Sequence, residues 1–134
     1  MRHDHAGINV GDLARAEAWY SAAFGLTREF ATRIGPVDLE IVMLRSEDGG
    51  YRVELLHRPG SAPGLRAASP AEAALTEGFG HIAFGVAGLG AMHARLLGLG
   101  AREIMPPQPS PEPGVSMSFL ADPEGNLIEL VERG

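Results

Sequence analysis

Apolar residues along this chain fall into two periods, and the order of those periods repeats. From His5 to Val10 they alternate, with Ala6, Ile8 and Val10 on one side and His5, Gly7 and Asn9 on the other. That is the pattern of a half-buried strand. LARAEAWYSAAF then predicts a helix, with Asp12 placed to cap its start and Gly25 to stop it. TREFATRI and VDLEIVMLRS predict two strands on either side of Gly35-Pro36, and a turn at Glu47-Asp48-Gly49-Gly50 leads into YRVELLHR as a hairpin. The order then recurs. FGHIAFGV predicts a strand, LGAMHARLLGLG a helix, and AREIMP and VSMSFLAD two further strands. Asp122-Pro123-Glu124-Gly125-Asn126 turns the chain into a last strand, LIELVE.

The two halves correspond in detail. HAGINVGDL and HIAFGVAGL share His, Val and Leu at matching offsets, GLTRE matches LGARE after each helix, and YRVELLHR and NLIELVER share Glu-Leu and a final Arg. Positions 5 and 54, a His and a Glu, are 49 residues apart; positions 81 and 129, again a His and a Glu, are 48 apart. Three matching segments in one order indicate two copies of a small unit. We therefore expect a single domain over 1–134, with one module over about 1–58, a linker over about 59–78 and a second module over about 79–134. Within the linker, SPAEAAL predicts a short helix capped by Ser69 and begun by Pro70. MPPQPSPEPG holds five prolines in ten residues, so it is no central strand and reads as a stiff exposed loop.

Composition narrows the function. At 45% hydrophobic and a mean hydropathy of +0.01, the 134 residues suit a soluble globular protein. No apolar run approaches the ~18 residues of a membrane span, and MRHDHAGINV lacks a signal-peptide core, so the expected location is cytoplasmic. The absence of cysteine excludes thiolate ligands and thiol nucleophiles, and the absence of lysine excludes a Schiff base on this chain. A net charge of −6 argues against a nucleic-acid partner; a small molecule is the expected one.

Strand parity then selects the candidate chemistry. Ile82, Phe84 and Val86 should pack on the helix, which turns His81 the other way; Ile128 and Leu130 leave Glu129 opposite, and Val53 and Leu55 leave Arg52, Glu54 and Leu56 opposite. His5, Glu54, His81 and Glu129 thus all lie on faces turned away from the helices, and curling of the sheets would bring those faces to one cavity. A strand glutamate flanked by Val and Leu is costly to bury unpaired, and a shared cation offsets that cost. Two imidazoles and two carboxylates suit a divalent transition metal, Zn, Ni, Co, Mn or Fe(II), better than Ca. Asn9, Met43 and Ser118 are further candidates for the cavity lining. His3 is assigned to a disordered terminus, His57 to a contact with helix or linker, His93 to the exposed side of its helix, and Trp19-Tyr20 to helix packing.

HAGINVGDLARAEAWYSAAFGL, GHIAFGV and FLADPEGNLIELVE resemble the vicinal oxygen chelate superfamily, which includes glyoxalase I, bleomycin-resistance proteins and extradiol dioxygenases. The resemblance spans nearly the whole chain. It implies an α+β fold of two βαβββ modules, forming a curved eight-stranded mixed sheet around a metal, and a homodimer. His5, Glu54, His81 and Glu129 match the four ligand positions, filled as in glyoxalase I-type members. The implied activity is that of a lyase or isomerase, of the lactoylglutathione lyase or methylmalonyl-CoA epimerase type, abstracting a proton next to a metal-bound carbonyl. Glu129 is the expected base, with Glu54 as the alternative. Ring-cleaving Fe(II) dioxygenases of the family use two His and one Glu and do not normally place an acid at the Glu54 position. Drug-sequestering members generally lack the ligand set. Both remain alternative readings.

Overall fold

A computed structural model describes all residues, Met1–Gly134, and divides them into two compact units, Met1–Pro63 and Gly64–Gly134. The first unit runs β1 (Ala6–Asn9), α1 (Leu13–Phe24), β2 (Thr27–Ile34), a 3-10 turn (Gly35–Val37), β3 (Leu39–Arg45) and β4 (Arg52–His57). Its sheet has the order β1-β4-β3-β2, with β1 parallel to β4 and the other pairs antiparallel. The parallel pair needs a crossover, and α1, β2 and β3 supply it. Asp12 caps α1 by accepting a hydrogen bond from Arg15 N at 2.9 Å, and Gly25 ends it in the left-handed region at φ 64°. The helix buries Ala16, Trp19, Tyr20 and Ala23, and the sheet face of Val42, Leu44, Val53 and Leu55 is buried with them. The Trp19 and Tyr20 rings meet edge to face at 4.9 Å, so this pair is core packing as expected.

The second unit opens with α2 (Pro70–Ala73), then runs β5 (His81–Gly85), α3 (Leu89–Gly98), β6 (Arg102–Pro109), β7 (Val115–Ala121) and β8 (Leu127–Arg133). Its sheet has the order β5-β8-β7-β6, with β5 parallel to β8. The two units therefore repeat one βαβββ topology, and the eight strands form two four-stranded mixed sheets. Ser69 caps α2 through Glu72 N at 3.0 Å, and Pro70 begins the helix, as the sequence implied. The segment leading to this helix is more than a tether: Leu65, Ala67 and Ala73 pack with Ile104 and Leu127 of the second sheet. The DPEGN turn is held by Asp122, whose Oδ1 accepts from Glu124 N and Asn126 N, both at 2.9 Å. Gly125 lies at φ 91° beneath Arg66, whose Cδ would sit 2.3 Å from any added Cβ.

Two expectations fail in this unit. The proline-rich stretch is not all loop. Strand β6 continues through Pro106, Pro107 and Pro109, with its register broken between Met105 and Gln108. It can do so because β6 is an edge strand, where a missing N–H need not cost a ladder bond. His93 is not exposed. It is 4% accessible and lines the inner stripe of α3 with Leu89 and Leu96. Its Nε2 meets Glu103 Oε2 of β6 at 2.8 Å, which supplies the partner that a buried imidazole requires.

Helix α3 also begins unlike α1. Gly88 at its N-cap has no side chain to offer, so Glu132 of β8 reaches across, accepting from Gly88 N at 2.5 Å and Leu89 N at 3.2 Å. A carboxylate there satisfies orphan amides and favours the positive end of the helix.

Candidate metal centre

The register places the same constellation in each unit. In the first sheet, Gly7 of β1, Glu54 of β4 and Met43 of β3 lie abreast. In the second, Ala83 of β5, Glu129 of β8 and Phe119 of β7 do the same. Partners abreast share a face, and the histidine two residues before Gly7 or Ala83 shares it too. Each His therefore comes to lie beside the Glu of its own module. His5 Nε2 stands 3.4 Å from Glu54 Oε2, and His81 Nε2 stands 3.2 Å from Glu129 Oε2. Glu54 and Glu129 are mostly covered, with side chains 20% and 19% accessible, and the two histidines are more open at 35% and 38%.

These separations suit ligands of one ion. Nitrogen and oxygen ligands at about 2.0–2.2 Å from a metal lie roughly 3.0–3.4 Å from each other at neighbouring corners of a tetrahedral or octahedral shell. Both pairs fall at that spacing. No group of three or more His, Asp or Glu side chains that could hold a metal ion is gathered in this structure. Each module contributes one imidazole and one carboxylate.

The modules differ around the histidine. In the first, His5 Nδ1 lies 2.8 Å from Asp4 Oδ2. Arg52 Nη2 donates to both Asp4 oxygens at 2.6 Å, and Arg52 Nη1 reaches Glu29 Oε2 at 3.3 Å. The His5 hydrogen bond, and then that from Arg52, hold the Asp4 carboxyl below its ordinary value. In the second, Gly80 stands where Asp4 would and Leu127 where Arg52 would. His81 instead meets the Phe119 ring edge-on at 5.2 Å.

Of the other sequence candidates, Met43 shares the Glu54 face and is buried, and Asn9 lies further along that face, exposed. Ser118 does not belong to the site. It lies abreast of Leu130, on the helix side of β7, fully buried with no partner for its Oγ. His57 points away from the site and donates from Nδ1 to the Val10 carbonyl at 2.9 Å, fixing the chain between β1 and α1. His3 lies in the exposed N-terminal segment. Sequence reasoning passed over Asp4 and Arg52. Arg52 was visible as the residue two before Glu54 on its face; Asp4 precedes the strand, where parity says nothing.

The sequence profile of the Glyoxalase/Bleomycin resistance protein/Dioxygenase superfamily matches residues 2–130, and the chain belongs to that family. A Synechocystis sp. protein named "Probable lactoylglutathione lyase" is 28% identical over 130 residues, which are 96% of this chain and 92% of that protein. A glyoxalase family protein of Bacillus cereus superposes with a TM-score of 0.81 at 25% identity, covering all of this chain and 95% of its own. Glyoxalase I of Zea mays superposes at a TM-score of 0.74 and 24% identity over 97% of this chain, which corresponds to 44% of the maize protein. The family contains both enzymes and resistance proteins, so membership by itself does not decide between turnover and binding. No helix is long and apolar enough to cross a membrane.

Proposed function

We propose that this protein is a metal-dependent, glyoxalase-like lyase or isomerase acting on a small molecule. The observation that carries the reading is the repetition of a His–Glu pair at ligand spacing, in the same register of both modules. His5, Glu54, His81 and Glu129, the positions the family resemblance assigns, would be the ligands of a divalent transition metal, Zn, Ni, Co, Mn or Fe(II). Such an ion supplies Lewis acidity to a substrate carbonyl oxygen. Glu129 takes the proton from the carbon beside that carbonyl on a carboxylate oxygen and returns it to the neighbouring carbon or the opposite face. Glu54 is the alternative base. Both carboxylates are mostly covered, which shields the proton in transit from bulk water.

The relationship to a lactoylglutathione lyase homologue supports this chemistry over ring cleavage, as does the second carboxylate, Glu54. The protein is further proposed to act as a homodimer. The edge strand β2 is exposed along its whole length and carries Phe30 and Ile34, and an uncovered edge of this kind invites pairing.

The test begins with metal content and Co2+ and Ni2+ titration of the purified protein. Turnover of a hemithioacetal, methylmalonyl-CoA and a set of catechols by the loaded protein follows. One bound ion per chain, with E129Q and E54Q each weakening binding and abolishing turnover of one of the first two substrates, is the expected result. A protein that takes up no transition metal sinks the reading. Ring-opened product from a catechol replaces it with the dioxygenase alternative. Sedimentation at monomer mass at high concentration would remove the dimer.

A further inference from the structure

Two histidines related by the internal repeat are held in different ways, and the difference has a chemical consequence. Asp4 offers His5 two carboxylate oxygens, and Arg52 donates to both of them at 2.6 Å. A guanidinium is always protonated and only donates. Asp4 is thereby kept as an acceptor, and the His5 nitrogen 2.8 Å from it must be the one bearing hydrogen. In the neutral imidazole the remaining lone pair then sits on Nε2, the atom facing Glu54. His81 has none of this. Glycine precedes it and leucine replaces the arginine, so nothing corresponds to the Asp4–Arg52 pair; its Nε2 faces Glu129 Oε2 at 3.2 Å, a carboxylate that only accepts and so favours hydrogen on Nε2.

We propose that Asp4, clamped by Arg52, is a positioning residue that fixes His5 as its Nδ1–H tautomer and presents Nε2 as a ready donor to the ion. This rests on the metal reading above. In the first module the imidazole is locked in ring orientation and tautomer before an ion arrives. In the second, the Glu129 carboxylate favours hydrogen on His81 Nε2, so that proton must move to Nδ1 before Nε2 can bind an ion. Carboxylates that orient a ligating histidine in this way typically contribute about 10–100-fold to metal affinity. The first module is thus the preorganised half, and the entropic and tautomeric cost of assembling the site falls on His81.

The experiment is long-range 1H–15N NMR of the imidazoles in metal-free full-length protein, about two pH units above the ordinary imidazole value of about 6.5. It is paired with Co2+ titration by calorimetry. Asp4 is exposed and outside the core, so D4A leaves the fold intact. In the unmodified protein His5 should show a hydrogen-bearing Nδ1 and a lone-pair Nε2, and His81 a hydrogen-bearing Nε2. D4A leaves Glu54 as the carboxylate facing the ring, and should move His5 toward hydrogen on Nε2 and weaken Co2+ binding by about tenfold or more. R52L, which copies Leu127 of the second module, should fall between the two. A hydrogen on His5 Nε2 in the unmodified protein, or a tautomer unmoved in D4A, overturns the assignment without reference to any metal. An altered tautomer with unchanged Co2+ affinity overturns the positioning role. R52L identical to the unmodified protein removes the clamp. Failure of the unmodified protein to bind Co2+ overturns the metal reading instead, and the tautomer assignment is then decided by the spectra alone.

Discussion

Removing Glu103 should harm this protein more than removing the histidine it serves. His93 is 4% accessible, its Nε2 bonded to Glu103 and its Nδ1 buried with no partner. Glu103 itself has a side chain 49% accessible, so it can return to water if its partner is lost. E103A therefore strands a whole imidazole in the interior without a hydrogen bond, a loss of about 1–3 kcal/mol. H93L removes both ring nitrogens, leaves Glu103 hydrated, and places an apolar side chain of similar size in the stripe of Leu89 and Leu96. Its cost should stay within about 1 kcal/mol of zero. For a chain of this length each kcal/mol corresponds to about 4 °C in Tm. E103A should therefore melt some 4–12 °C lower, H93L near the parent, and the double variant close to H93L. Urea unfolding and calorimetry of the four proteins form a double-mutant cycle with a coupling of about 1 kcal/mol or more. If H93L costs as much as E103A, the Nδ1 atom is serving a bond after all and the reasoning is refuted.

Three further outcomes follow from local geometry. G125A should destabilise more than G25A: both glycines have positive φ, 91° and 64°, but only Gly125 lies under Arg66. G25A should cost about 1 kcal/mol, and pairing G125A with R66A should recover only the steric part, as read by chemical denaturation. E132A should cost about 1 kcal/mol and speed amide exchange at Gly88 and Leu89, since their acceptor is gone; unchanged exchange would count against the cap. Glu17 accepts two hydrogen bonds from Arg28, at 2.7 and 2.6 Å, which hold its carboxyl below the ordinary 4.5. A depressed carboxyl adds stability that is complete above its unfolded value and fades as pH falls through the folded one. E17Q should therefore lose a small, salt-sensitive increment at neutral pH and converge with the parent in acid, in stability profiles from pH 7 to 3; a constant difference across that range would refute the link.

Much of the architecture was legible because strands and helices have fixed periods. Alternation at His5–Val10, in YRVELLHR, in FGHIAFGV and in LIELVE assigns a side to each strand residue, so the faces of His5, Glu54, His81 and Glu129 follow from the sequence. Asp12, Gly25, Ser69 and Pro70 act locally, and each did what its position implied. His93 shows where residue type misled. It lies four residues after Leu89 and three before Leu96, on the buried stripe, and its polarity argued against a place its periodicity indicated. The prolines of β6 misled similarly: nothing in the sequence says that this strand lies at an edge, where they are tolerated.

Covalent order and backbone period fix the repeat, the faces and the set of side chains available for chemistry. Pairing was decided only in three dimensions. The 3.4 and 3.2 Å approach of each His to its Glu depends on parallel registers between strands more than forty residues apart. So does the asymmetry between them. Asp4 and Arg52 lie 48 positions apart and meet because β1 pairs beside β4. Their contact gives two sequence-related histidines different chemical surroundings.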